Sequence, residues 1–315
     1  MKPLSASEIL GNWATLLLPI NADDSIDGVR LSDEIARLIS FCPDGIYSNG
    51  TAGEFYNLTE REFDESSELL ASHCTQADMP FQIGVGHMSP LISLERLKRV
   101  IALRPAAVQV ILPDWFVPTL DECISFLDRM AEVSEPVGLV LYNPPHAKKV
   151  VTSEEIGQLK DTIPLLVGVK VCDGDDDWYA RMRRTCRGLS VFVPGHHLAT
   201  GIRNGAHGSY SNVACLHPGA AQQWWRQIHT APEAAMQLEQ RIRNFMDRHI
   251  VPLLQGGYSN MAVDKLLAAI GGWGPVGTRL RWPYRWITEE AVAPLRTEAR
   301  KILPEFFVCE GVCRR

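Results

Sequence analysis

Eight short apolar runs, each separated from the next by an amphipathic stretch, limit what this chain can fold into. The runs are NWATLLLPI (12–20), GIYSNG (45–50), PFQIGVG (80–86), AAVQVILP (106–113), VGLVLYNP (137–144), LLVGVKV (165–171), SVFVPG (190–195) and GSYS (208–211). Most are apolar on both faces, as strands of a parallel sheet are when helices cover them. Between them, apolar residues recur at three- and four-residue spacing, which predicts helices over 29–41, 59–74, 89–103, 119–133, 152–160 and 175–186. Thr59 with Glu62, Thr119 with Glu122, and Thr152 with Glu155 match the capping box, in which threonine and glutamate satisfy free amides of the first turn. Eight strand–helix units fit a closed (β/α)8 barrel, an α/β fold, better than an open doubly wound sheet. The open sheet would normally carry a Gly-rich phosphate turn after its first strand, and PINADDSIDG offers none.

After residue 229 the strand pattern stops. Helical periodicity over 237–254, 260–270 and 289–303, broken by Gly256-Gly257 and GGWGPVG, predicts a C-terminal helical extension. We therefore expect a barrel over 1–228 and an extension over 229–315 packed against it.

With 46% hydrophobic and 22% charged residues, the 315-residue chain has the composition of a folded globular protein. Its formal charge of −6 and lack of a basic run argue against nucleic acid or an anionic membrane surface as partner. No stretch approaches the roughly 18 apolar residues of a membrane span. The N-terminal segment lacks a signal-peptide cleavage pattern. Eight cysteines, at 42, 74, 123, 172, 186, 215, 309 and 313, are scattered with no CxxC pair, and read as reduced thiols of a cytoplasmic protein. Cys309 and Cys313 alone are too few for a metal or redox site.

In this architecture chemistry sits where the strands end, and the residues that strand periodicity leaves unexplained fall there. Lys170 lies inside LLVGVKV, although taking an ammonium out of water costs several kcal/mol unless it is paired or deprotonated. It either snorkels to solvent or is an amine kept neutral by apolar surroundings, ready to attack a carbonyl. An unperturbed lysine titrates near ~10.4, so lowering that value by about three units raises the free-amine fraction roughly a thousandfold. Tyr142 ends strand five in LYNPP; Thr51, Ala52, Gly53 and Glu54 follow strand two in NGTAGEF. The GTAGE loop presents consecutive backbone N–H groups, a plausible carboxylate cradle. Trp115 follows strand four, Gly195, His196 and His197 follow strand seven, Tyr210 ends strand eight, and Ser211 and Asn212 come next. DGDDD after Lys170 lacks the glycine and distal glutamate of a calcium loop and reads as a first-turn acidic cluster. Adjacent histidines diverge and have no further ligand at zinc spacing, so no metal is expected.

GTAGE after strand two, LYNPP ending strand five, GVK in strand six and the helical extension together resemble the dihydrodipicolinate synthase / N-acetylneuraminate lyase family, over about residues 10 to 305. The resemblance implies a class I, Schiff-base mechanism on 2-oxo acids such as pyruvate, without a cofactor, in a barrel that is usually a homotetramer. It makes Lys170 the imine-forming residue, Tyr142 the proton-shuttling phenol assisted by Thr51, and the amides around Thr51 and Ala52 the carboxylate holder.

The departures from the family pattern bear on substrate. Ala52 stands where a second hydroxyl residue is usual. Trp115 stands where synthases carry a tyrosine supplied by a neighbouring subunit. Ala147 stands where synthases carry an arginine for the second substrate's carboxylate; neither alanine nor the adjacent Lys148 replaces its bidentate fork. GHH lies where sugar-acid lyases bind substrate hydroxyls, so His197, with His196 and Asn212, is expected to read a polyhydroxylated tail. The expectation is an aldolase or dehydratase acting on a 2-keto-3-deoxy sugar acid or related hydroxylated 2-oxo acid. The alternatives are 4-hydroxy-tetrahydrodipicolinate synthase and a non-catalytic 2-oxo-acid-binding protein.

Overall fold

A computed structural model describes residues 1–308. Its strands are β1 (Gly11–Thr15), β2 (Gly45–Ser48), β3 (Phe81–Gly84), β4 (Ala107–Val110), β5 (Leu139–Asn143), β6 (Leu166–Val171), β7 (Ser190–Phe192) and β8 (Gly208–Tyr210). All pair in parallel and in sequence order, and β8 closes on β1 to complete a barrel. The intervening helices are α1 (Gly28–Ser40), α2 (Glu60–Gln76), α3 (Pro90–Ile101), α4 (Leu120–Ser134), α5 (Ser153–Thr162), α6 (Asp176–Thr185) and α7 (Leu198–Arg203). The eight-strand expectation holds.

Local chemistry sets several helix starts. Thr59, Thr119 and Thr152 each form the reciprocal capping box with Glu62, Glu122 and Glu155. Asp175 caps α6 by accepting from the Trp178 N–H at 2.8 Å, with Asp176 and Asp177 in the first turn, where negative charge suits the helix dipole. Asp175, Asp176 and Asp177 of DGDDD are thus accounted for as a helix start.

Period-two alternation sorts the strands into two apolar layers. Trp13, Tyr47, Ala107, Val140, Phe192 and Tyr210 pack together inside the barrel. Their neighbours Ala14, Ile46, Val108, Leu139, Leu141 and Val191 join the larger core shared with the surrounding helices.

Three sequence-based expectations need correction. The first run predicts a strand to residue 20, but the ladder ends at Thr15 and Leu16–Leu18 continue as buried loop. There the Leu17 N–H is taken by Glu34 Oε1 at 2.8 Å instead of a neighbouring strand. The helix expected over 237–254 is three pieces: α10 (Pro232–Phe245), a π-helical turn (Met246–Ile250) and a short helix, α11 (Val251–Gln255). Pro252 has no N–H to continue an α ladder, and a wider turn accommodates it. Cys42 is disulfide-bonded, against the reading of every cysteine as a thiol. Cys74, Cys123, Cys172, Cys186 and Cys215 are free, and residues 309 and 313 lie outside the described residues.

Helices α8 (Asn212–Leu216) and α9 (Pro218–Thr230) follow β8. Further on, α12 (Asn260–Gly271) packs on α8, and α13 (Val292–Ile302) packs on α12. No described helix is long and apolar enough to cross a membrane.

Candidate active site

The inward-facing residues at the strand ends meet in a cavity of about 280 Å³ at the C-terminal mouth of the barrel. In β6, Val169 belongs to the helix-side core, so its neighbour Lys170 turns inward and lines the cavity. The β5–β6 register sets Tyr142 opposite Lys170. Lys170 Nζ lies 4.2 Å from the centroid of the Tyr142 ring, 5.0 Å from that of Tyr47 and 5.3 Å from that of Tyr210. Its one hydrogen-bond partner among the described residues is the Tyr47 hydroxyl, at 3.5 Å.

This aromatic box decides the charge state of the amine. Ring faces attract a cation, but they do not replace its hydration. Burial lowers the Lys170 pKa to about 8, against the opposing pull of Asp264. At neutral pH roughly a tenth of the side chain is then free amine, against under a thousandth for an unperturbed lysine.

Thr51 Oγ1 donates to the Tyr142 hydroxyl oxygen at 3.2 Å. Tyr142 therefore keeps its own proton available to a bound molecule. Burial raises its pKa, against the Thr51 hydrogen bond, so the phenol stays protonated. Ala52 also lines the cavity.

Gly195 and His196 after β7, and Tyr210, Ser211 and Asn212 at the end of β8, also line the cavity. A Cβ at Gly195 would lie 2.6 Å from Asn212 Oδ1 and 2.7 Å from Ser211 Oγ, so only glycine lets the strand-seven loop close on the start of α8. Asn212 then holds His196: its Oδ1 accepts the His196 backbone N–H at 3.2 Å, and its Nδ2 lies 3.0 Å from Nδ1. Oδ1 also lies 3.4 Å from Nδ1, so the Asn212 amide engages that edge of the ring. Burial and the neighbouring His197 push the His196 pKa down to about 4, which keeps the imidazole neutral.

Three residues expected to bind substrate stand elsewhere. The side chain of His197 turns to Asp173, its Nδ1 lying 2.7 Å from Asp173 Oδ2, and does not line the cavity. Gly53 packs on the backbone of Asn49 and Leu16. Trp115 is 65% exposed outside the cavity, where its carbonyl accepts from Lys148 Nζ at 2.8 Å. Ala147 borders a smaller adjoining cavity beside Thr51, Tyr142 and His146.

Sequence reasoning overlooked two groups, Tyr47 and Asp264. Both line the cavity, Tyr47 from β2 and Asp264 from α12, and aliphatic side chains of α11 and α12 complete that wall. The alternation of GIYS points to Tyr47. An acid inside the apolar run MAVDKLL points to Asp264, though not to the direction in which it faces.

A lysine amine with lowered pKa, enclosed at the mouth of a (β/α)8 barrel beside a hydrogen-bonded phenol, defines a class of carbonyl-condensing enzyme. Residues 8–302 match the dihydrodipicolinate synthetase family, and the chain belongs to it. It is 26% identical over 212 residues to 4-hydroxy-tetrahydrodipicolinate synthase of Thermomicrobium roseum, covering 67% of this chain and 69% of the relative. It is 25% identical over 265 residues to N-acetylneuraminate lyase of Gallus gallus, covering 82% and 84%. Its fold matches that of YagE, a prophage protein of E. coli K12 determined in complex with pyruvate, with TM-score 0.81, 19% identity and coverage of 93% and 98%. The family is one of lyases, and this protein is a lyase forming a lysine imine with a 2-oxo acid.

Proposed function

We propose that this protein is an aldolase or dehydratase acting on a 2-keto-3-deoxy sugar acid or a related hydroxylated 2-oxo acid. The observation that carries the chemistry is the placement of the Lys170 amine beside Tyr142, whose hydroxyl is held by Thr51. Lys170 attacks the C2 carbonyl, and loss of water leaves an imine. Protonated, the imine draws electrons from C3, so the C3–C4 bond can cleave, or a C3 proton and a C4 hydroxyl can depart. Tyr142 moves the proton that each route requires. Amides of the GTAGE loop near Ala52 hold the C1 carboxylate.

The choice of substrate rests on the residues that follow β7 and β8. Neutral His196, with Asn212 and Ser211 beside it, offers donors and acceptors suited to hydroxyl groups. Association as a homo-oligomer, a tetramer by family resemblance, belongs to the same proposal.

Relatives named as 4-hydroxy-tetrahydrodipicolinate synthase support a synthase as the second reading. Ala147 counts against it, because it offers nothing to bind a second carboxylate. A panel of 2-keto-3-deoxy acids, followed for pyruvate release and for water loss, decides between them. Turnover of at least one acid supports the proposal. Turnover of pyruvate with aspartate semialdehyde, and of no deoxy acid, replaces it with the synthase reading.

A further inference from the structure

Among the described residues lining the cavity, Asp264 is the one carboxylic acid and Lys170 the one primary amine. Asp264 comes from α12, outside the barrel, and its carboxyl makes no hydrogen bond or ion pair with any described residue. Its neighbour in sequence behaves otherwise. Lys265 turns away from the cavity to Glu54 Oε1 and the Arg279 carbonyl, both at 2.6 Å. The Glu54–Lys265 pair pins α12 to the GTAGE loop, and Asp264 is thereby held at the cavity wall.

An unpartnered acid in an enclosed cavity is costly unless something supplies a partner. The free amine of Lys170 can leave its nitrogen neutral. A protonated imine cannot, because its positive charge is what makes C3 reactive. That cation forms inside three aromatic rings and an aliphatic wall, away from bulk water, where an uncompensated charge is expensive. Among the described residues lining the cavity, Asp264 is the one side chain able to balance it.

We propose that Asp264 is the counterion of the Lys170 imine, a positioning residue whose carboxylate balances the cationic nitrogen formed when a 2-oxo acid condenses with the amine. The inference rests on the Schiff-base reading above and adds to it the group that keeps the imine protonated. The titratable groups on which the charge of Asp264 acts include Lys170 from β6, Tyr47 from β2, Tyr142 from β5 and Cys215 from α8. Burial holds both phenols and the thiol neutral through the physiological range, so Lys170 is the one basic partner among them. Burial also raises Asp264 to about 7, against the pull of Lys170, so the acid is partly ionised at neutral pH.

The test is the pH dependence of imine formation with pyruvate, read by borohydride trapping and intact mass, in the full-length wild type, in Asp264→Asn and in Asp264→Glu. Removing the negative charge destabilises the ammonium, so D264N should move the half-point of trapping to lower pH by roughly one unit, a tenfold change in the ionisation equilibrium. Turnover of the oxo-acid substrate should fall by about the same factor, while D264E keeps the wild-type half-point. If D264N does not accumulate, D264L replaces it, matched to the surrounding aliphatic wall. Identical half-points in the charged and uncharged variants overturn the counterion role and leave the Schiff-base reading intact. Absence of any trapped adduct in the wild type overturns both.

Discussion

Lys265 Nζ donates to Glu54 Oε1 at 2.6 Å where neither side chain reaches solvent, and this bond joins α12 to the loop after β2. Glu54 adopts a left-handed backbone, φ 50°, and its second oxygen accepts the Arg281 N–H at 3.2 Å. Removing one member of a buried pair leaves the other charged and unpaired, at a cost of about 3–5 kcal/mol. Lys265→Met should lower the urea midpoint accordingly. The double variant E54Q/K265M should lose less than the two single changes summed. Additive losses would mean that the pair does not act as a unit.

Lys170 titrates near 8 because burial outweighs the attraction of Asp264. Only the free amine attacks a carbonyl, so the rate of imine formation with pyruvate should rise with pH and reach half its limit near pH 8. A half-point near ~10.4, the unperturbed value, would mean that the amine is solvated.

Tyr142→Phe removes the hydroxyl proposed to carry the proton and leaves the lysine in place. Turnover should fall by about 10²–10⁴-fold, the usual contribution of a positioned acid–base group. Trapping of a pyruvate adduct should persist, more slowly. Thr51→Val removes only the hydrogen bond to the Tyr142 oxygen and should cost less. Equal losses in the two variants would assign Thr51 a larger part than holding the phenol.

His196 and His197 should separate cleanly. His196→Ala should raise KM for a hydroxylated substrate several-fold, because its ring lines the cavity. His197→Ala should leave KM close to wild type and reduce stability near neutral pH instead. Burial of Asp173 disfavours its charge, but the hydrogen bond and charge of His197 outweigh this and hold its pKa below the usual carboxylate value. A carboxylate lowered in the folded state contributes stability above its unfolded pKa of ~3.9 and loses it as pH falls through the folded value. The wild type should therefore exceed H197A in stability near neutral pH, with the gap closing below about pH 4. A KM change confined to H197A would reverse the assignment.

Glu34 has the opposite sign. Burial raises it to about 8, against the Leu17 N–H and Lys265. The folded state binds this proton more tightly, so its contribution is complete below ~4.3 and is lost as pH rises through 8. Glu34→Gln should flatten the decline of the unfolding free energy between those limits. A decline that persists unchanged in E34Q would locate the titrating group elsewhere.

The strand pattern made the barrel legible because burial on both faces leaves continuous apolar runs, and the capping boxes marked three helix starts to within a residue. Lys170, Tyr142 and Thr51 were legible as side chains unexplained by strand periodicity, each at a strand end. Proximity was harder to read. The residues of GHH are adjacent in sequence, yet one ring lines the cavity and the other turns to Asp173, a choice made by Asn212 sixteen residues on. Trp115 follows a strand but lies on the outer surface, since a loop end does not fix the direction of its side chain. Asp264 depends on how α12 docks, and that is set by a long-range ion pair with Glu54 that local pattern does not contain.

The most direct measurement is incubation with pyruvate, borohydride reduction and peptide mapping. We expect a single covalent adduct of one reduced pyruvate on the peptide carrying Lys170, and no adduct in Lys170→Arg. An adduct on another lysine, or an unmodified wild-type protein after incubation with pyruvate and with the deoxy acids alike, would contradict the account.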